Sequence, residues 1–312
     1  MELPLDEERI RAIVAHLAHL RAAHGEAFAT PDLVEPNSEY FPDEFTLSPE
    51  GIGTLLRRML GYAPVSDDLD VQLGFIEPDG EVSGGGCGSG ACGAGGLKAI
   101  ARGGAVETDD GYAALVHVHD VGDPTILTTA LARAIGRIVL FEAGEEVSSR
   151  DEGPLSELTA VAAGFGLLLL NGACVYKKGC SGMKRHQATF LDVEEIAMAL
   201  ALFVRTTHVK PGVVRRHLEI TQKEAFDAAL AWVDGQPSLI RALVESPETL
   251  EDGVFAFEEK KGLLSRLFSP KGKDGGLDLA AARPSKPRER SPEELRRLAE
   301  AKALVDEALS ES

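Results

Sequence analysis

Residues 153–173 read GPLSELTAVAAGFGLLLLNGA, and the placement of that run decides the architecture of the chain. Residues 158–176 are 19 in a row without a charge, closed by Lys177 and Lys178, close to the length that crosses a bilayer. Thr159, Asn171, Cys174, Gly164, Gly166 and Gly172 interrupt the run, and only 167–170 is intensely apolar. A helix buried on all sides in a soluble core has the same pattern. The reading adopted is therefore a core helix over about 154–175, with no membrane span.

Working outward, LTTALARAIGRIVL at 127–140 falls in a helix over about 125–142, opened by Asp123 and Pro124. Before it, 71–76 and 113–119 alternate as strands. A first helix is expected over 6–24, where Ile10, Ile13, Val14, Leu17 and Leu20 recur at helical spacing behind the acids Asp6, Glu7 and Glu8. Prolines 31, 36, 42 and 49 mark a loop, and Ser48-Pro49-Glu50 starts another helix. After 154 the chain reads as almost wholly helical, with segments over 192–205, 211–233 (broken near 218–221) and 237–245. The expected fold is α+β, a small N-terminal sheet packed with a predominantly helical C-terminal half. One globular domain over 1–268 would carry an inserted Gly-rich loop at 84–96. Residues 269–290, with SPKGKDGG and ARPSKPRER, read as a linker. Ser291-Pro292-Glu293-Glu294 caps an amphipathic helix over 291–312, suited to docking on the body or on a protein partner.

A net charge of −18 excludes general nucleic-acid binding and attraction to anionic membranes, both of which need a basic face. MELPLDEERIRAI carries no secretory pattern, and four cysteines are too few for a disulfide scaffold. A cytoplasmic protein is expected.

Few residues gather into recognisable chemistry. His16, His19 and His24 lie on or near the first helix with no acidic companion at metal spacing, and read as surface residues. His117 and His119 fall on one side of a strand beside Asp120 and can chelate a metal, although packed strand histidines are commoner. Residues 88–93, GSGACG, match GxGxxG without the strand and helix that a dinucleotide site requires. Cys87, Cys92, Cys174 and Cys180 form two pairs that could hold structural zinc, form disulfides or stay as free thiols.

The run FPDEF at 41–45, together with 127–140 and 153–173, is similar to a bacterial family of zincin-like, HExxH metallopeptidase-like proteins. In that family a strand leads into a helix with two histidines one turn apart that grip zinc. A glutamate between them activates water, and an acid on a later helix completes the site. The resemblance puts Arg133 and Arg137 at the histidine positions, Ala134 at the general base and Glu157 at the last ligand. Arginine keeps its proton in proteins and cannot coordinate zinc. A degenerate site follows, with no catalytic residue and no cofactor, in which Arg133 or Arg137 pairs with Glu157. The implied function is a non-catalytic zincin-like binding or scaffolding module whose protein partner is unknown. The alternative is a cysteine-coordinated metal protein or thiol-redox protein.

Overall fold

The computed structural model describes residues 3–77, 82–83, 104–179 and 182–258. The Gly-rich segment with Cys87 and Cys92, the GSGACG match, Cys180, the linker at 269–290 and the helix expected over 291–312 lie outside the described residues. The fold is α+β. Helix α1 (Glu7–Ala23) turns through the short α2 (Gly25–Phe28) into the proline-marked loop. Helix α3 (Pro49–Leu60) begins where Ser48 Oγ accepts from the Gly51 amide at 3.2 Å.

Strands β1 (Val71–Ile76), β2 (Val82–Ser83), β3 (Gly104–Thr108) and β4 (Gly111–His117) form one sheet in the order β2-β1-β4-β3. The β1–β4 pair is parallel and central; β2 and β3 run antiparallel outside it. Tyr112, Ala113, Ala114, Leu115 and Val116 are all buried, so β4 reads as a continuous apolar run because both faces are covered. One face packs against helix α4 (Pro124–Glu142), started by Asp123, whose carboxylate accepts from the Thr125 and Ile126 amides. The strand expected over 113–119 ends two residues early, and residues 118–120 turn through a single 3₁₀ turn into α4.

Residues 156–170 are buried, but the uncharged run is not one helix. Helix α5 (Glu152–Ala160) passes through a π-turn (Val161–Phe165) into α6 (Gly166–Gly172). Gly164 explains the interruption. Its φ is +99°, a Cβ there would lie 2.0 Å from the Asp32 carbonyl oxygen, and its own carbonyl accepts from the Val34 amide at 3.0 Å. The loop after α2 crosses the helix at Gly164, where a side chain would collide with it. By length and composition, α4 and the segment Glu152–Gly172 could each cross a membrane; 78% and 83% of their most apolar windows are buried inside the body.

The expectation of an almost wholly helical second half needs correction. After α6 the chain makes an antiparallel hairpin, β5 (Val175–Gly179) and β6 (Gly182–His186). Lysines and glycines had hidden the two-residue alternation on which a strand reading depends. Helix α7 (Val193–Thr206) follows, closed at its start by a capping box between Asp192 and Glu195 and buried along nearly its whole length. Helices α8 (Pro211–Arg215), α9 (Ile220–Val233) and α10 (Pro237–Glu245) complete the bundle, with the expected break between α8 and α9. The core lies between α4, α5–α6 and α7, flanked by α1, α9 and α10.

Candidate functional site

The seam between α4 and α5 is set by Gly136. A Cβ at that position would fall 2.0 Å from the Ser156 carbonyl oxygen and 2.9 Å from the Ala160 Cβ. Only glycine lets the two backbones approach so closely. The helices run antiparallel, and the close contact is bracketed by two ion pairs. Arg133 Nη1 donates to Glu157 Oε1 at 3.0 Å, and Arg137 Nε stands 3.1 Å from Glu152 Oε1.

The inner pair is closed to solvent, with the Arg133 side chain 3% exposed and Glu157 0%. Each carboxylate oxygen of Glu157 has two donors. Oε1 accepts from Arg133 and, at 2.9 Å, from the Phe190 amide; Oε2 accepts from the Phe190 and Leu191 amides at 3.0 and 2.9 Å. Arg133 also donates to the Ala188 carbonyl at 2.8 Å, and its guanidinium lies 5.4 Å from the centre of the Phe190 ring. Burial pushes the Glu157 carboxyl up from the ordinary carboxylate range, while Arg133 and the Leu191 and Phe190 amides oppose that push. The pair thus ties α4 and α5 to the strand-like turn that enters α7.

The outer pair differs. Arg137 lies 3.9 Å from the centre of the Phe141 ring, and its partner Glu152 keeps a quarter of its side chain exposed. Ala134, the remaining member of the degenerate set, is fully buried. All four positions therefore sit in or beside one seam, and neither arginine points to solvent. Sequence reasoning missed Glu152 and the amides of Phe190 and Leu191. The spacing of two arginines four apart, facing two glutamates five apart on the next helix, was the available signal for Glu152. The amides had none, because backbone donors leave no mark in a side-chain pattern.

Elsewhere, Cys174 is buried, and its carbonyl accepts from Gln222 Nε2 at 2.7 Å. His117 and His119 stack with ring centres 5.3 Å apart, although His119 has left the strand. The surface reading of the three α1-end histidines is corrected by the fold. His19 and His24 Nε2 approach Glu145 Oε1 at 2.7 and 3.3 Å, and His16 Nε2 lies 2.9 Å from Thr159 Oγ1. The companion of His19 and His24 is acidic but distant in sequence. Burial lowers His16 to about 4. Among the described residues no three His, Cys, Asp or Glu side chains are grouped so as to hold a metal ion.

A cavity of about 280 Å³ lies beside the start of α4, lined by Phe41, Phe45, Leu55 and Leu127 with Asp43 and Arg58 among its polar residues. FPDEF supplies one wall. Compared with protein-family models, with curated proteins and with solved structures, the chain shows no significant match.

Proposed function

We propose that the protein is a non-catalytic member of the zincin-like metallopeptidase group, acting as a binding or scaffolding module. The observation that carries this reading is the buried Arg133–Glu157 pair. In the resemblance, Glu157 would complete a zinc site. Here its two oxygens are taken up by a guanidinium and two backbone amides, and they face no solvent. A permanently protonated side chain cannot act as a ligand or as a base, and Ala134 has no group to activate water. The α4–α5 seam then serves as architecture.

The test restores the family pattern. Arg133→His/Ala134→Glu/Arg137→His would recreate the two nitrogen ligands and the base beside Glu157, and zinc uptake would be measured against a chromophoric chelator. The expected result is one additional zinc per folded chain over the wild type, with no zinc-dependent cleavage of casein by the wild type. Chelator-sensitive proteolysis by the wild-type protein would sink the non-catalytic reading. A folded triple variant that takes up no additional zinc would sink the zincin assignment.

A further inference from the structure

We propose that the β5–β6 hairpin is a docking site for a short acidic segment of a partner protein, added as an extended strand; this rests on the binding-module reading. Residues 175–186 read VYKKGCSGMKRH, with four Lys and Arg and no Asp or Glu, in a chain holding 50 acidic residues among 312. Removing those four positive charges from the net −18 leaves −22 on the remainder. The hairpin sequence is basic within an acidic chain.

The register sharpens this. Lys177 stands directly opposite Lys184, and Tyr176 opposite Arg185. Like charges at directly opposed positions destabilise a strand pair. Lysine on an edge strand does discourage self-association, but mixed signs would do the same without that cost. Keeping one sign against the composition of the chain favours an anionic partner. In the sheet order β5-β6 each strand has one edge without a strand neighbour among the described residues, and a two-stranded hairpin gains stability from a third strand.

The hairpin base is held in place. Gln222 donates to the Cys174 carbonyl at 2.7 Å, the Tyr176 hydroxyl lies 3.2 Å from Thr221 Oγ1, and the Ala188 amide donates to the Gly172 carbonyl at 2.9 Å. Beside it, Tyr176 is 50% exposed and Ile220 74%, an apolar foot for one side chain of the incoming segment. Arg185 and His186 are exposed as well.

Size selects the partner. Each strand has five residues, a length of about 17 Å. A nucleic acid or an anionic bilayer would extend well beyond that, into repulsion from the acidic remainder, with a screening length of only about 8 Å at physiological salt. An extended acidic segment of five or six residues does not.

The experiment uses the full chain. Fluorescence anisotropy would follow a labelled peptide of about ten residues, glutamate-rich with one central leucine, at about 50 mM salt. Oligothymidylate of similar length and phosphatidylserine-containing vesicles would be run alongside. The expected result is saturable peptide binding that weakens with salt and falls at least about tenfold in Lys177→Glu/Lys184→Glu, with weaker binding to the other two probes. Should that double variant fail to fold, Arg185→Glu, at an exposed position, carries the same expectation. No saturable peptide binding, binding indifferent to charge reversal, or tighter binding of the oligonucleotide or vesicles through these residues would each overturn the proposal. None of these results bears on zinc uptake at the α4–α5 seam, so failure of the hairpin and failure of the non-catalytic reading are separable.

Discussion

The middle of α4 and the turn past its end gather charge in opposite ways. Toward its middle, Arg133 meets Glu157 with both side chains at or below 3% exposure. Past its last turn, Glu145 receives His19 and His24 with a quarter or more of each side chain exposed. The first cluster uses a group that does not change charge near neutrality, surrounds its partner with backbone donors and fixes three segments of chain. The second leaves its imidazoles near water and holds the end of α1. Burial of charge with complete partners makes architecture, whereas the cluster at Glu145 stays partly open to water. At Glu145 burial pushes the carboxyl up, hydrogen bonds from His19 and His24 pull harder, and it rests below the ordinary glutamate value.

The sharpest way to break that contrast is to remove the centre of the seam. Glu157→Ala should cost about 3–5 kcal/mol in urea unfolding, because it leaves a buried guanidinium and two amides without their acceptor. Arg133→Met should cost less, about 2 kcal/mol, since the amide donors stay with the carboxylate. The double change Arg133→Met/Glu157→Leu should not return to wild-type stability, because the Phe190 and Leu191 amides lose the carboxylate that accepts from them. Were Glu157→Ala to lose under about 1 kcal/mol, the seam would be ordinary surface chemistry and the contrast would fail. Gly136→Ala tests the packing beneath it. The added carbon meets the Ser156 carbonyl at 2.0 Å, and forcing the helices apart should cost about 3 kcal/mol.

Much of this seam was legible before the fold was known, and the reason is specific. Helix α4 carries its arginines at i and i+4, a signal of local period, and Glu157 is the lone acid in an uncharged run. The resemblance sets Arg133, Arg137 and Glu157 at one site, and a buried charge needs a partner, which is what makes the pairing an expectation. The break at Gly164 was not legible, because it depends on the backbone of Asp32 arriving from a loop over 130 residues away. The hairpin over 175–186 was missed for a different reason. Its lysines and glycines are poor strand formers, and tertiary anchoring by Gln222 and Thr221 overrides their local preference. The histidines of α1 were read as surface residues because Glu145 lies more than a hundred positions away. Local pattern finds partners one turn apart; it does not find those that only a fold brings together.

The pH response should be the next largest effect. His16 is lowered from 6.5 to about 4, by burial first and by the neighbouring His19 second, with Glu145 and the Leu155 carbonyl acting against the shift. As pH falls, the unfolded chain takes up this proton before the folded one does, so the contribution is complete above pH 6.5 and is lost between pH 6.5 and about 4. Stability should drop by about 2 kcal/mol between pH 7.5 and 5 from this group. Glu145 adds its own loss below pH 4.5, as pH falls from the ordinary glutamate value toward its depressed one. His16→Gln keeps a polar side chain near Thr159 and removes the proton, so its unfolding free energy should be flatter over the same window. Parallel pH profiles for the two proteins would show that His16 is not the sensor.

Arg137 lies between the two regimes and should give the smallest effect. Its side chain is 10% exposed while Glu152 is 25% exposed, so one partner belongs to the core and the other to the rim. It also faces the Phe141 ring rather than a closed set of acceptors. Arg137→Met keeps the stem that packs in the seam and removes the charge. The rim-exposed carboxylate can then recover its hydration, which the buried Glu157 cannot. The expected loss is about 1 kcal/mol, made up of a partly screened ion pair and a cation–π contact. A loss equal to that of Arg133→Met would mean that the depth of the arginine alone sets the cost. A clearly smaller loss would mean that the solvation of the carboxylate sets it, which is what distinguishes the middle of α4 from its end.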